Sequence, residues 1–464
     1  VHTSNLSQPS SPRRQPRGWA AAWLLVALAG CASAHHTTAD DGGDALPDAG
    51  PSDATLLDAT RIDAGAPDAD TPTPDAGTLT PDAGTLTPDA GTPTPDAGSA
   101  GAVRGSVQYE DRPIDASGTA GVLELRPARA VAVDLLGSTG TVLATGTTDD
   151  AGRFELPYTT APGMLVTVRA RAEVSYLGHG GRVLDRRGRG NVYALVSTPF
   201  DGSAGVDLAL VARASGGLGG AFNIADVLYS AFLVYAASVG TPAPRLTVQW
   251  QAGLAWTCGS CYSGDVISLG GQVADTDEYD DGIILHEMGH YFADHYSRDT
   301  SPGGSHRDRQ VEPELAYGEG LGYFFACLVQ GHPLVVDTYA TSSRLMEFED
   351  VTLDGVSRTD FVGTSTGAPD GSLREEIVAA ILWDAFDGVN PAEPFDRVAL
   401  GVDGMLALLV DYFGTWPHPD QGAPGIDLSD LLYALVCSAG VPAADAEALA
   451  NDRGFPWAAS PCGP

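Results

Sequence analysis

The 464-residue chain has no lysine, and all 25 of its basic residues are arginine. The absence excludes the phosphate-gripping lysine of a P-loop, a Schiff-base lysine for pyridoxal phosphate or aldolase chemistry, and a Ser-Lys dyad. Positive charge is scarce altogether: 60 acids leave a formal net charge of -35. Such a chain lacks the concentrated basic face that tracks phosphates, so nucleic acid is excluded as a partner. The apolar run at 19–29 is too short for a membrane span, which takes roughly 20 apolar residues. Hydrophobic residues make up 43%, ordinary for globular protein, and the length allows about two or three domains.

Arg13, Arg14 and Arg17 precede or abut that run, residues 1–30 hold no acid, and small residues close the segment. A basic region, a short apolar core and small residues read as a secretory signal. The Arg13-Arg14 pair alone does not make a twin-arginine signal. Leu28-Ala29-Gly30-Cys31 resembles a bacterial lipobox. The resemblance implies cleavage before Cys31, lipid on that cysteine, and anchoring at the outer membrane or cell surface; plain secretion with cleavage nearby is the alternative.

Without residues 1–30 the chain carries -38, and residues 32–100 contribute thirteen aspartates against one arginine. Pro-Asp-Ala-Gly units begin at Pro47, Pro74, Pro81, Pro88 and Pro95. The seven-residue spacing of the last four is not a coiled-coil heptad, because proline and glycine recur in every unit and no paired apolar seam exists. Segment 31–100 has too few large apolar residues to offset ordering entropy, so a disordered, extended stalk is expected.

From residue 101 the texture changes. Short segments rich in Val, Leu and Thr at 130–136, 141–147, 164–173 and 206–211 alternate in polarity, and turn signals separate them. A β-sandwich over 101–213 follows. Thr148-Asp149-Asp150-Ala151-Gly152-Arg153-Phe154 resembles the turn-and-strand pattern of carboxypeptidase-regulatory-like and related Ig-like modules beside secreted hydrolases, implying a spacer or substrate-presenting role.

Residues 214–464 read as α+β and mostly helical. Apolar residues at three-to-four spacing predict a helix over 222–237, then strands at 245–250 and 265–269, then helices at 282–296, 319–328, 373–386, 398–412 and 428–438. Asp277, Glu278, Asp280 and Asp281 precede the second helix. Acids there complement the helix dipole and cap free N–H groups, with calcium binding as the other reading.

The most specific feature is His286-Glu287-Met288-Gly289-His290 inside a predicted helix. Residues four apart share a face, so both imidazoles can converge on one ion while Glu287 reaches a water on it. Zinc held by two histidines needs a third protein ligand and one open position. The metzincin pattern would put glycine and histidine at 293 and 296, where Ala293 and Tyr296 stand, and His295 is rotated by about 100°. A carboxylate from a following helix is the other solution. Glu319, in Glu319-Gly320-Leu321-Gly322-Tyr323, stands at the expected start of one, and the glycines permit close helix approach; Glu312 and Glu314 are runner-up ligands.

His286, Glu287, His290 and Glu319 match, position by position, the HExxH-plus-glutamate pattern of the gluzincin metallopeptidases, which the region 245–387 resembles. Here Glu319 follows His290 by 29 residues, more than in compact members, with the loop-like 297–310 between. The resemblance implies a zincin-like catalytic domain, one zinc per chain, Glu287 as general base and a peptide or protein substrate. It also implies that segment 265–271 is the edge strand pairing with substrate backbone. Tyr317, His332, Tyr339 and Arg344 are candidate oxyanion donors, and Asp294 a candidate to orient a ligand imidazole. A non-catalytic binding lipoprotein on the same fold is the rival reading.

Gly363-Thr364-Ser365-Thr366-Gly367 matches a nucleophile elbow, but the turn-forming Ala368-Pro369-Asp370-Gly371 follows instead of a helix. Cys258 and Cys261 lack a second pair for a four-ligand metal site, so a local disulfide is expected. Cys437 and Cys462 can pair to fasten the C-terminal tail, leaving Cys327 buried.

Overall fold

Alternating polarity builds the first half and helical periodicity the second. The computed structural model describes residues 99–463, except 115–120, 161–162, 187–189, 204, 307–308, 340–341, 354–355, 358–362 and 416. The expected signal segment, Cys31 and the Pro-Asp-Ala-Gly repeats lie outside the described residues.

The strands run β1 (Ser99–Asp111), β2 (Glu124–Pro127), β3 (Val131–Gly137), β4 (Val142–Thr147), β5 (Arg153–Thr160), β6 (Leu165–Tyr176), β7 (His179–Asp185), β8 (Asn191–Val192), β9 (Ala194–Val196), β10 (Phe200–Asp201) and β11 (Asp207–Ala212). Period-two burial is clearest in β6, where Val166, Val168, Ala170, Ala172 and Val174 all point into the core. β1 pairs with β11 in parallel and with β5 and β2 in antiparallel. It begins at Ser99, two residues before the start expected at 101.

Next come α1 (Leu218–Tyr235), β12 (Leu246–Trp250), β13 (Cys261–Ser263), β14 (Val266–Ser268), α2 (Asp281–Tyr296) and α3 (Pro313–Gln330). A small sheet follows, of β15 (Leu334–Tyr339), β16 (Ser342–Glu347), β17 (Thr352–Leu353) and β18 (Val356–Ser357). The remainder is α4 (Glu375–Phe386), α5 (Gly401–Leu406) continuing as a π-helical segment Ala407–Tyr412, α6 (Leu428–Cys437) and α7 (Ala443–Asp452). The small sheet and α7 carry no sequence signal strong enough to have been expected.

The expected boundary at 213/214 does not separate independent folds. A second sheet runs β13-β14-β12-β7-β6-β3-β4, and β12 pairs in parallel with β7 from Leu246 opposite Gly181 to Trp250 opposite Asp185. Parallel neighbours need a crossover, and α1 lies within the connection between them. α1 is long and apolar enough to cross a membrane, yet here Phe222, Ile224, Leu228 and Phe232 are fully buried. Core residues of both halves form one continuous cluster.

α3 begins at Pro313, so Glu319 stands inside the helix and not at its start. Proline is favoured in a first turn, where its missing N–H costs nothing, and Glu312 takes the N-cap.

Candidate metal centre

α2 and α3 meet through glycine. A Cβ on Gly289 would lie 2.9 Å from Gly322 Cα, and one on Gly322 would lie 2.9 Å from Cε1 and Nδ1 of His286. The His286 ring therefore rests against α3, its centroid 4.2 Å from that of Tyr323.

This packing brings three donors together. His286 Nε2 is 3.2 Å and His290 Nε2 3.4 Å from Glu319 Oε2, and the two nitrogens are 3.3 Å apart. Ligands about 2.0–2.1 Å from one ion at the corners of a tetrahedron lie about 3.3–3.4 Å from each other. The three atoms thus outline one face of a tetrahedron of zinc size. They border a cleft of about 910 Å³, which Glu287 also lines.

Electrostatics fit a cation at that point. Burial alone would raise the Glu319 carboxyl, but hydrogen bonds from His286 and His290 and their charge drive it far below the usual range. Burial likewise opposes charge on His290, and the hydrogen bond and charge of Glu319 override it, lifting His290 to about 9. The Glu287 carboxyl is raised by burial and pulled partly back by the two imidazoles.

No protein-family model matches the chain. An uncharacterized protein of Archaeoglobus fulgidus is 26% identical over 140 residues, covering 28% of this chain and 36% of its own length, so the chain spans about a third of that relative. Among solved structures, a 9R-lipoxygenase from Cyanothece PCC8801 matches at 14% identity over 33% of this chain and 25% of its own, with a TM-score of 0.14. A score that low carries no argument about fold or activity.

Around the three donors the expectations fare unevenly. Glu319 converges with the histidines, whereas Glu312 is exposed at the N-cap and Glu314 does not line the cleft. Asp294 accepts from the Tyr262 hydroxyl at 2.8 Å instead of orienting a ligand; the carboxylate facing His290 Nδ1, at 4.0 Å, is Asp299. Tyr317 is fully buried beside Phe413, Arg344 pairs with Glu376 at 3.5 Å, His332 is exposed after α3, and the Tyr339 hydroxyl donates to Asp337. None of these four lines the cleft, but His306 and Tyr323 do. His306 sits in a glycine-containing loop with no periodicity, so no spacing signal marks it.

A second acidic group lines the same cleft. Carboxylate oxygens of Asp275, Asp277 and Asp337 lie within 4.8 Å of one another, and Ser260 donates to Asp277. Burial raises Asp277 to about 8. The calcium-capable set read from sequence is thus redistributed: of its four acids only Asp277 belongs to this group. Asp280 accepts from Thr338 N at 2.6 Å and Asp281 from Asn223 at 3.0 Å. Asp280 occupies the N-cap of α2 without making the expected capping bond.

The expected edge strand is also corrected. β14 is flanked by β12 and β13, so among the described residues the edge strand near the cleft is β13. Cys258 and Cys261 are bonded at the cleft wall, Cys437 and Cys462 are bonded near the C-terminus, and Cys327 is free and buried. Ser365 lies in a turn where its Oγ accepts from Ser372 N, and α4 starts only at Glu375, so no elbow forms.

Proposed function

We propose that the chain is a zinc-dependent peptidase of gluzincin type, with α2, α3 and the β12-β14-β13 strip as a zincin-like catalytic half. The observation that carries the reading is the set of three donor separations, 3.2, 3.3 and 3.4 Å, each matching a tetrahedral edge around zinc. Two imidazoles and one carboxylate are a catalytic zinc donor set, which leaves the fourth position open. When bound, zinc supplies a Lewis acid that activates water near neutral pH and polarises a carbonyl.

The chain's own residues supply the rest. Glu287, next to His286 and 6% exposed, takes the proton of the attacking water and delivers it to the leaving amine. The free edge of β13 offers backbone groups to an extended peptide. Asp275, Asp294, Asp299 and Asp337 line the cleft without any arginine among its described lining residues, which favours basic or neutral peptides. The basic-apolar-small N-terminal segment and Cys31 support export and lipid anchoring.

Two measurements on purified protein test the reading. One zinc per chain is expected, and Glu287→Ala should abolish hydrolysis of a fluorogenic peptide while retaining the metal. Absence of stoichiometric zinc, or a parent protein that cleaves no peptide, would leave the non-catalytic binding lipoprotein as the better account, and undiminished hydrolysis by the variant would overturn Glu287 as the base.

A further inference from the structure

The loop between α2 and α3 carries a histidine that the catalytic scheme does not use. His306 Nδ1 lies 2.6 Å from Glu375 Oε2, and its Nε2 lies 3.5 Å from Glu319 Oε2. It is outside the close-set trio of His286, His290 and Glu319, so it is not a fourth member of that face. Instead it bridges two carboxylates, one of them the ligand glutamate. Each ring nitrogen thus faces one carboxylate oxygen.

Three packing features hold the bridge in place. Gly320, beside Glu319, lets α3 ride against the first turn of α4: a Cβ there would lie 2.5 Å from Val378 Cβ and 2.7 Å from the Glu375 carbonyl oxygen. Val311 and Leu373 exchange backbone hydrogen bonds at 2.9 and 3.0 Å, pinning the end of the loop two residues before Glu375. Glu375 itself is 1% exposed on the first turn of α4, where the helix dipole favours its negative charge. A buried carboxylate fixed by helix packing, on the far side of an imidazole from a metal ligand, is the arrangement by which an outer partner sets the pose of that ligand.

We infer that His306, clamped by Glu375, is a positioning residue that holds Glu319 in its ligating pose, so that the metal, Glu319, His306 and Glu375 form one connected chain. This rests on the zinc reading above. Outer partners of this kind are worth about 10–100-fold in metal affinity. Because Glu375 acts through the imidazole, the two residues are coupled and not additive.

The test is zinc affinity, measured by competition with a chromophoric chelator on the otherwise intact chain, with cobalt substitution as a spectroscopic check. His306→Ala should weaken zinc about 10–100-fold. Cobalt absorption should keep its four-coordinate intensity. Glu375→Gln, which keeps shape and an acceptor but loses charge, should weaken zinc several-fold in the parent and have no further effect in His306→Ala. Thermal unfolding of both metal-free variants verifies that they fold. Unchanged affinity in folded His306→Ala, or an equal effect of Glu375→Gln in both backgrounds, overturns the inference. A collapse of cobalt intensity in His306→Ala also overturns it, in favour of direct ligation. If the parent binds no zinc, the zinc reading falls first and this inference with it.

Discussion

Replacing Gly322 by alanine is the sharpest probe of how α2 and α3 are joined. The added methyl would start 2.9 Å from two atoms of the His286 ring and 3.3 Å from the His286 carbonyl oxygen. Comfortable contacts between carbon atoms are about 3.5–4.0 Å, so the ring or the helix must yield by about 0.6–1 Å. The ring has little room to slide, because Tyr323 stands at 4.2 Å and the helices already touch at Gly289. Pushing His286 Nε2 away by that amount stretches its 3.2 Å separation from Glu319 to about 4 Å, too wide for a tetrahedral edge of about 3.3–3.4 Å. Overpacking costs about 1–3 kcal/mol and alanine returns about 1 kcal/mol of helix propensity, so the metal-free variant should lose about 0–2 kcal/mol. Zinc affinity should fall at least about tenfold, or 1.4 kcal/mol. Chemical denaturation in chelator reads the first number, and the zinc-induced rise in Tm reads the second through linkage. A variant about 1 kcal/mol more stable than the parent, with an undiminished zinc-induced rise, would refute the close approach of the two helices.

The Cys437–Cys462 bond closes a loop with a sequence separation of 25, for which the chain-entropy relation gives about 3.5 kcal/mol. Replacing both cysteines by serine should lower stability by about that amount without changing zinc content; a loss below about 1 kcal/mol would show the tail is fastened by packing alone. Stability should also decline with rising pH. Burial holds Asp277 and Asp384 near 8 and Asp280 near 9, above their unfolded values. Carboxyls raised in this way contribute stability that is complete below about pH 4 and is lost as pH climbs through 8 to 9. Calorimetry of metal-free protein should give a lower Tm at pH 9 than at pH 6, and the opposite trend would contradict the sign.

The convergence of His286, His290 and Glu319 was legible because its information is local. His286 and His290 are one helical turn apart, and Glu319 announces itself by the glycines that seat its helix. Helix starts were less legible: the helix expected from residue 319 begins at Pro313, a first-turn proline, which adds six residues before Glu319. The partners of the centre were hidden, since Asp299 and His306 come from an aperiodic loop and Glu375 from another helix. Asp294 has the right spacing on α2 but finds Tyr262 instead. The sheet was half legible, since period two marks β6 but nothing in residues 246–250 says that their neighbour is β7. Parallel register is a long-range agreement between two segments, and no local pattern encodes it.

The pairing of β7 with β12 bears on how such a chain can arise and be cut. A recombination event or protease acting at 213/214 would not release two self-sufficient cassettes. The N-terminal fragment would keep β7 with its hydrogen-bonding edge bared, and the C-terminal fragment would keep α1 with its apolar face uncovered. Inheritance and turnover should therefore treat residues 99–463 as one indivisible piece.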